Sequence, residues 1–494
     1  MKKRFFFLLA FVCLIACSKD DQVEEVGIIP EITNENLVVN PMGTSPLTAR
    51  LDIKTNIETK VSILIKGQDG EDLTHDFNEF SNNHIIPILG LYPAYENQVI
   101  ITLISKSGGE IQLTKMITTA SPWGEFGSFS PVIHDTVKIE KGFVMMHLMG
   151  TDGLAGRVGC YPVMIDKYGK IRWIYYAGIN HVFKKMNNGH YLIDSSDKDL
   201  REIDLLGAQY GYWYVPEGIH HDAIETSDNS ILFLSHAEGS TDDGVIELKE
   251  ENGSYLNKWD IRKILDANRP QAPKDGADED WLHLNGIDFQ KKDNSFIVSG
   301  RNQSAVVKID RTTGKLKWIL GNHEYWNDSL KSYLLKPVGS DFEWQWGQHA
   351  PIFNPKDPSK ILLFDNGCAR SYNNPIPATQ NYSRVVEYKI DEAAMTVEQV
   401  WQFGKEYGSE LYSTYISNTR YLDNGNILIC YGGLTKNPSG EAVDFGYPEI
   451  YNSVRILEVV PATKEVVWDL KLENKDNKKL GYRSYRAYKV DIYN

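Results

Sequence analysis

The chain has 494 residues, of which 42% are hydrophobic and 11% aromatic, and this composition supplies a sizeable core and excludes a disordered protein. It contains 66 Asp and Glu against 52 Lys and Arg, which gives a formal net charge of −14 at pH 7. An acidic chain without a Lys/Arg-rich run argues against a nucleic-acid partner. An anionic ligand would therefore need a local cationic site that overcomes a repulsive overall field.

The N-terminus carries the features of an export signal. Three basic residues precede an apolar run over residues 5–16, which is too short to span a membrane as a helix. The end of this run, Leu14-Ile15-Ala16-Cys17, resembles a lipobox, so we expect residues 1–17 to act as a lipoprotein signal with Cys17 lipidated. The alternative is an ordinary signal peptide cleaved nearby. The predicted product is an exported lipoprotein of the outer membrane, on the periplasmic face or the cell surface, that meets the membrane only through its lipid anchor.

Residues 22–122 differ from the rest of the chain in their pattern of apolar and polar residues. Short runs of alternating apolar and polar residues, such as residues 60–65 and 98–104, are bounded by Gly, Asn and Pro. This pattern is typical of a small antiparallel β-sandwich. Because no residue combination in it suggests chemistry, we interpret it as an accessory domain.

From residue 125 onward one strand signal recurs six times. Each copy has an aliphatic residue followed by an acid, then a turn, then a strand that carries a Trp. The six Trp residues are Trp173, Trp213, Trp259, Trp318, Trp401 and Trp468. Tandem units with room for four short strands each predict an all-β, six-bladed β-propeller over residues 125–494. A Trp at the same place in every unit is expected to fill the space between blades and to have no catalytic role.

A second repeated element places polar residues just before a hydrophobic strand. Its copies lead with Asn180-His181, His220-His221-Asp222, His283-Leu284-Asn285, Gln348-His349 and Ser413-Thr414. In a propeller the innermost strand of each blade lines the central axis, so residues that open these strands point to one mouth. We therefore expect these polar leaders to converge in space, and Arg301 to join them from the strand that follows His283.

Three interpretations of such a cluster compete. A metal site needs several close ligands, but adjacent His220 and His221 would point to opposite faces of a strand and could not both ligate easily. Cys160, Cys368 and Cys430 are too far apart in sequence for a thiolate zinc site, and no motif typical of a Ser or Cys nucleophile is present. The third interpretation is a pocket in which Arg and His bind sulfate or phosphate while one His acts as nucleophile or acid/base.

Several ordered motifs decide between these interpretations. The motifs are Asp280-Trp281-Leu282-His283-Leu284-Asn285, Ser299-Gly300-Arg301-Asn302-Gln303-Ser304, Trp318-Ile319-Leu320-Gly321, Phe342-Glu343-Trp344-Gln345-Trp346-Gly347-Gln348-His349 and Phe364-Asp365-Asn366-Gly367. Together they resemble the bacterial arylsulfate sulfotransferase family. The resemblance implies a six-bladed propeller behind a small β-sandwich. It also implies transfer of a sulfuryl group from a phenolic sulfate ester to a phenol, through a sulfohistidine and without the nucleotide donor PAPS.

The resemblance also implies roles for individual residues. His349 would be the nucleophile, and His283, Asn285 and Arg301 would hold the sulfate oxygens and stabilise charge as the S–O bond breaks. No cofactor and no metal ion is expected. A neutral imidazole can attack without a separate base, and a second His can protonate the leaving phenolate.

Two positions stay open at this stage. The family's earlier His falls in the His220-His221 pair, and the sequence does not say which member is active. The family's Thr falls on Thr414, with Ser413 and Ser417 as rivals. Both histidines are therefore kept as catalytic candidates, and Thr414 is kept as a substrate-binding candidate.

Two other functions use the same sequence features. A surface-exposed propeller that binds a glycan or protein without turnover would also carry a lipid anchor and aromatic loops. An aryl sulfate hydrolase would use the same residues with water as the acceptor. For the transferase, the expected partners are a small phenolic sulfate donor and a phenolic acceptor, and the sequence leaves a homodimer open.

Overall fold

The computed structural model describes residues 27–68, 71–122, 129–150, 160–265, 267–271, 280–473 and 481–493. The predicted export signal and Cys17 lie outside this range. Strands make up nearly all of the regular structure in the described residues, so the all-β prediction is confirmed. Within the described ranges, helical structure is limited to α1 (Ile261–Ile264) and four short 3₁₀ turns at Lys291–Asp293, Lys331–Tyr333, Ala378–Gln380 and Lys405–Leu411. No helix in the described ranges has the length and hydropathy needed to cross a membrane.

The N-terminal domain is one hydrogen-bonded set of five strands. They are β1 (Ile32–Val39), β2 (Ala49–Ile65), β3 (Leu73–Ile88), β4 (Glu96–Ser105) and β5 (Glu110–Thr118). Strand β2 pairs with β3 along one edge, and along the other edge it pairs first with β1 and then with β4. Alternate residues of β2 are buried, and Leu51 and Ile63, on either side of the register shift, belong to one hydrophobic core. Strands β2 and β3 are longer than the short strands we expected, because one bent strand serves two partners.

The remaining described strands form six sheets, in which the pairing is antiparallel except between β22 and β26. In chain order the first group is β6 (Val132–Ile133), β7 (Phe143–Gly150), β8 (Cys160–Ile165), β9 (Ile171–Ile174), β10 (Phe183–Lys185), β11 (Tyr191–Ser196), β12 (Asp199–Ile203), β13 (Gln209–Tyr214), β14 (Ala223–Glu225), β15 (Ser230–Ala237), β16 (Ser240–Lys249) and β17 (Tyr255–Asp260). The second group is β18 (Leu284–Gln290), β19 (Ser295–Gly300), β20 (Ala305–Asp310), β21 (Leu316–Gly321), β22 (Lys336–Val338), β23 (His349–Phe353), β24 (Lys360–Asp365), β25 (Arg384–Asp391), β26 (Thr396–Phe403), β27 (Asn418–Tyr421), β28 (Ile427–Lys436), β29 (Tyr451–Val460), β30 (Glu465–Leu472) and β31 (Tyr482–Val490).

These sheets are the blades of a six-bladed propeller, as predicted. We number the blades around the ring and list the strands of each blade from the axis outward. Blade 1 is β31-β7-β8-β9, blade 2 is β10 to β13, blade 3 is β14 to β17 and blade 4 is β18 to β21. Blade 5 is β23 to β26 and blade 6 is β27 to β30, with β22 and β6 added at their respective outer edges. Blade 1 takes its innermost strand from the C-terminal end of the chain, so antiparallel pairing of β31 with β7 closes the ring.

The six repeated Trp residues join neighbouring blades. Five indole N–H groups donate to the next blade: Trp173 to Leu205 O (2.8 Å), Trp213 to Glu250 O (2.9 Å), Trp318 to a Glu392 carboxylate oxygen (3.1 Å), Trp401 to Pro461 O (2.9 Å) and Trp468 to Lys167 O (2.8 Å). The sixth, Trp259 of blade 3, packs on Phe296 of blade 4 with ring centroids 5.1 Å apart. The structural role predicted for these residues is confirmed.

The N-terminal domain is attached to blade 1. The Arg172 guanidinium donates from Nε to Gly90 O at 2.7 Å and stacks on the Tyr92 ring, 3.9 Å from its centroid. From the other end of the chain, the Tyr493 hydroxyl bonds the backbone N–H and carbonyl of Leu89. The strand pair that closes the ring is therefore also held against the accessory domain.

Substitution of Trp468 tests the contact that joins the last blade to the first. Trp468→Phe keeps a buried ring but removes the donor to Lys167 O, and we expect it to lower the free energy of unfolding by about 1 kcal/mol. Trp468→Ala also leaves a cavity and should cost about 3–5 kcal/mol. Urea denaturation of the protein without residues 1–17 measures both values. Equal losses for the two variants would contradict a role for the indole N–H.

Candidate active site

The polar leaders converge at one end of the propeller axis, as predicted. His181 precedes β10, His221 precedes β14, His283 precedes β18 and His349 opens β23. The rings of His181 and His221 lie 5.2 Å apart between centroids, and those of His221 and His283 lie 4.8 Å apart. Histidines from adjacent blades thus form one cluster, although long stretches of sequence separate them.

The backbone at this cluster is held in unusual conformations. His221 and His283 have φ values of 57° and 51°, and Ala350, next to His349, has a φ of 49°. Side chains other than Gly rarely adopt this left-handed region, and each such residue costs roughly 1–3 kcal/mol. The inner strands of blades 4 and 5 also change register directly after His283 and His349. The inner strands are therefore irregular at the residues that form the cluster.

His349 is held in one tautomer by Asn366. The Asn366 amide nitrogen donates to Ser413 O at 2.8 Å and to Ile416 O at 3.1 Å, so its oxygen must face His349. That oxygen lies 2.7 Å from His349 Nδ1, which is therefore the protonated nitrogen. Burial, followed by the nearby Arg301 charge, lowers the pKa of His349 well below its usual value. The ring is neutral at pH 7, with its lone pair on Nε2.

Arg301 supplies a positive charge next to this imidazole. Its Nη2 donates to Thr414 O at 3.3 Å and contacts Cys368 Sγ at 3.8 Å, and its backbone N–H bonds His283 O at 3.1 Å. Within the described ranges no carboxylate forms an ion pair with this guanidinium. A partly buried cation held only by neutral groups favours an anionic ligand.

His283 has carboxylates on one side of its ring. Its Nδ1 lies 2.8 Å from Asp280 Oδ2 and 3.4 Å from Asp242 Oδ2. Because a carboxylate only accepts, Nδ1 carries the proton that bonds Asp280. Nε2 is then the ring atom that remains for a ligand or for proton transfer.

The structure separates His220 from His221. His221 lies in the cluster with His181 and His283, whereas His220 stacks on His236 with centroids 5.4 Å apart and faces Asp242. The two adjacent rings still contact each other, because their Nδ1 atoms are within hydrogen-bond distance at 2.8 Å. Burial lowers the pKa of His220 to about 4 and that of His221 well below its usual value. His221 is thus placed to act on a ligand, and His220 lies behind it.

The sequence of the chain matches two models of known protein families. The family model described as Arylsulfotransferase (ASST) matches residues 133–483, and the one described as Arylsulfotransferase Ig-like domain matches residues 36–122. The chain belongs to the arylsulfotransferase family. This match covers the propeller that carries the histidine cluster and confirms the resemblance found in the sequence motifs.

Two curated members of the arylsulfotransferase family align with most of the chain. Arylsulfate sulfotransferase AssT of Escherichia coli O6:H1 is 26% identical over 544 aligned residues, covering 87% of this chain and 88% of that protein. AssT of Lelliottia amnigena is 26% identical over 572 residues, covering 92% and 93%. Among solved structures, the periplasmic gluconolactonase PpgL of Pseudomonas aeruginosa is similar with a TM-score of 0.36 at 10% identity, over 88% of this chain and 99% of its own.

Asn285 and Thr414, both expected to touch substrate in an arylsulfotransferase, are deeply buried. Asn285 donates to Gln348 O at 2.9 Å and so ties the start of β18 to the residue before His349. The Thr414 hydroxyl accepts from Phe445 N at 3.2 Å, and its carbonyl oxygen receives Arg301. These contacts position neighbours of the site, and substrate contact by either side chain stays a prediction.

The rivals of Thr414 are engaged elsewhere. The hydroxyls of Ser413 and Ser417 bond each other at 2.9 Å. They also accept the backbone N–H groups of Gly433 and Gly432, both at 3.0 Å. Both serines therefore satisfy the backbone of blade 6, and of the three hydroxyl residues only Thr414 also holds Arg301.

Three residues of the site received no role from sequence reasoning. Asn366 stood in a recognised motif without a function, and Tyr485 and Arg486 lie on β31. The Tyr485 hydroxyl donates to His221 O at 3.1 Å, and Arg486 pairs with Asp222 at 2.8 Å and donates to Asn285 O at 2.9 Å. The Tyr- and Arg-rich run over residues 482–490 was a signal for a sixth inner strand, but that strand belongs to blade 1, whose other strands come first in the chain order of the propeller.

A buried His beneath the cluster makes stability depend on pH. His147, on β7, is 0% exposed, and burial lowers its pKa to about 3. Below pH 6.5 the unfolded chain binds a proton that the folded chain does not, so stability falls as pH falls from about 6.5 toward 3. We expect wild type to lose about 2 kcal/mol more than His147→Leu between pH 7 and pH 5, as measured by urea denaturation. Equal losses would show that His147 is not kept neutral by burial.

Proposed function

We propose that the protein transfers a sulfuryl group from a phenolic sulfate ester to a phenolic acceptor through a sulfohistidine on His349, without PAPS. The observation that carries this proposal is the contact between His349 Nδ1 and Asn366 Oδ1, which leaves the lone pair on Nε2. A neutral, oriented imidazole is a nucleophile that needs no general base at pH 7. The names of the aligned relatives, arylsulfate sulfotransferases, support an ester donor.

The charge around His349 suits a sulfate ester. The ester carries one negative charge, and Arg301 offers a guanidinium without a carboxylate partner in the described part of the chain. His283, on the neighbouring blade, offers its ring atom Nε2, because Nδ1 is engaged by Asp280. Because these groups are held before the ligand arrives, they stabilise charge on the sulfuryl oxygens in the transition state without reorganisation. They also overcome locally the repulsion expected from a net charge of −14.

The first step forms the covalent intermediate. His349 Nε2 attacks sulfur, the bond from sulfur to the aryl oxygen breaks, and its electron pair leaves on the phenolic oxygen. A proton from His221 converts that oxygen to the phenol. In the free protein burial and neighbouring imidazoles keep the pKa of His221 low, and the negative charge of the bound ester favours its protonated form.

The second step regenerates the enzyme. His221, now neutral, takes the proton of the acceptor phenol, and the acceptor oxygen attacks sulfur. The bond from sulfur to Nε2 breaks, and its electron pair returns to the imidazole as the original lone pair. Donor and acceptor use the same space in turn, so one compact site serves both half-reactions.

We also propose that the protein is exported from the cytoplasm. The basic residues, apolar run and lipobox-like end of residues 1–17 support export and lipidation of Cys17. The mature enzyme would then act on phenolic sulfates at the outer membrane, on its periplasmic face or at the cell surface.

Turnover of 4-nitrophenyl sulfate by the mature protein tests the reaction class. We expect release of 4-nitrophenolate to rise with added phenol and to fall by at least about 1,000-fold in His349→Ala, because that variant lacks the nucleophile. His190→Ala, which changes a His of blade 2 away from the cluster, is the matched control and should keep wild-type activity.

Two other results of this assay would favour the two alternative functions. Release that does not depend on phenol would assign hydrolysis to the same residues. Absence of release with every phenol pair, together with no sulfuryl group on His349 by peptide mass spectrometry, would favour a binding propeller.

The Asn366 contact makes a separate prediction. Asn366→Leu removes the acceptor for Nδ1–H, so the proton can move to Nε2 and block the lone pair. We expect about a 10- to 100-fold loss of kcat/KM and ¹⁵N spectra in which His349 changes from the Nδ1–H form to a mixture. A variant with full activity and an unchanged tautomer would overturn the role assigned to Asn366.

A further inference from the structure

A second group of potential ligands lies directly behind His221. His220, His236 and Asp242 each offer one ring nitrogen or carboxylate oxygen, and these three atoms lie within 4.8 Å of one another. None of them belongs to the cluster that we assign to the sulfuryl group. Asp242 has a φ of 56°, a left-handed conformation that costs energy and that aims its carboxylate between the two rings.

The separations match a metal site better than a hydrogen-bond network. Asp242 Oδ1 lies 3.2 Å from His236 Nδ1 and 3.4 Å from His220 Nε2. Ligands placed tetrahedrally around Zn²⁺ at about 2.0–2.1 Å are about 3.3–3.4 Å apart. The contact to His220 is long for a charge-assisted hydrogen bond, which is typically about 2.7–2.9 Å.

The polar atoms of this group lack ordinary partners. His220 and Asp242 are 6% and 8% exposed, and in the described structure His220 Nε2 is buried without a hydrogen-bond partner. The Asp242 backbone N–H donates to His236 Nδ1 at 3.2 Å, so in that arrangement Nδ1 carries no proton. Nδ1 cannot accept this N–H and at the same time donate a proton to the Asp242 carboxylate oxygen 3.2 Å away, and a cation held between nitrogen and carboxylate would remove this conflict.

We propose that His220 Nε2, His236 Nδ1 and Asp242 Oδ1 form a binding site for a divalent transition-metal ion of the Zn²⁺ class. Two imidazoles and one carboxylate are a donor set that such ions prefer, and water completes the coordination. The His236 side chain is 40% exposed, so it provides a route by which the ion enters. In the bound state the ion takes over the lone pair that now accepts the Asp242 N–H.

A neighbouring set of ligand atoms, on His221, Asp242 and His283, is a weaker candidate. His283 Nδ1 already donates to Asp280 at 2.8 Å, so this nitrogen has its partner. Asp242 is shared between the two sets, and its Oδ1 faces only the pair that we assign to the metal.

The ion would also set the tautomer of His221, a consequence that rests on the proposed function. With the metal on Nε2, the remaining proton of neutral His220 lies on Nδ1, which is 2.8 Å from His221 Nδ1. His221 must then accept at Nδ1 and carry its own proton on Nε2, the ring atom that faces away from His220. His220 is therefore a positioning residue, and before the ester binds it fixes the tautomer of the neutral His221 ring.

Zn²⁺ titration of the mature protein tests the site without any aryl sulfate. The protein is made without a His tag, stripped with EDTA and titrated with ZnCl₂ by calorimetry. We expect one equivalent to bind with a Kd of about 1 μM or lower, and His236→Gln to weaken binding by about 100-fold or more. His190→Gln is the matched control, because His190 is also partly exposed and contacts a single carboxylate, Glu202, at 2.5 Å. It should bind Zn²⁺ like wild type.

Spectra with Co²⁺ report the ligands independently. Four-coordinate Co²⁺ in a nitrogen and oxygen site absorbs visible light strongly, and this signal should appear in wild type and be lost in Asp242→Asn. Wild-type Zn²⁺ binding weaker than about 100 μM would overturn the proposal, as would equal affinity in His236→Gln and wild type. Because neither readout involves turnover, a protein that binds Zn²⁺ but transfers no sulfuryl group would refute only the proposed function.

Discussion

Ring closure is the constraint on which the rest of this structure depends. Six sheets around an axis leave a gap unless the last unit pairs with the first, and the protein closes it by placing β31 beside β7. The same strand carries Tyr485 and Arg486 into the active site and ends near Tyr493, which bonds the N-terminal domain. One pairing therefore joins the two ends of the propeller, completes the site and fixes the accessory domain to blade 1.

The chemistry of the site follows from burying several imidazoles where the blades meet. Desolvation keeps His221 and His349 neutral, and hydrogen bonds then decide which ring nitrogen carries the proton. The positive charge is left to Arg301, whose partners are a carbonyl and a thiol. An imidazole with a free lone pair thus lies beside a cation that no carboxylate neutralises in the described part of the chain, and the backbone next to His349, at Ala350, is held in the left-handed region.

Much of the fold and of the candidate site could be predicted from patterns of residues in the sequence. The repeated Trp signal predicted six blades because packing between blades imposes the same requirement on each copy, and the polar leaders predicted a common mouth because every inner strand starts there. The motif around His349 was recognised as a whole. The role of Asn366, in the separate motif over residues 364–367, was missed, since a tautomer depends on where the amide nitrogen finds its acceptors, and these lie on blade 6.

The chain by itself determined the all-β class, the number of blades and the residue types at the mouth of the propeller, because these depend on periodic burial that every blade repeats. Only the tertiary structure showed that His221 lies in the cluster and that His220 lies behind it. Adjacent residues on a chain diverge according to local φ, and the φ of 57° at His221 is imposed by its neighbours. The contribution of β31 was decided in the same way, because pairing between distant ends of a chain has no periodic signal in the sequence.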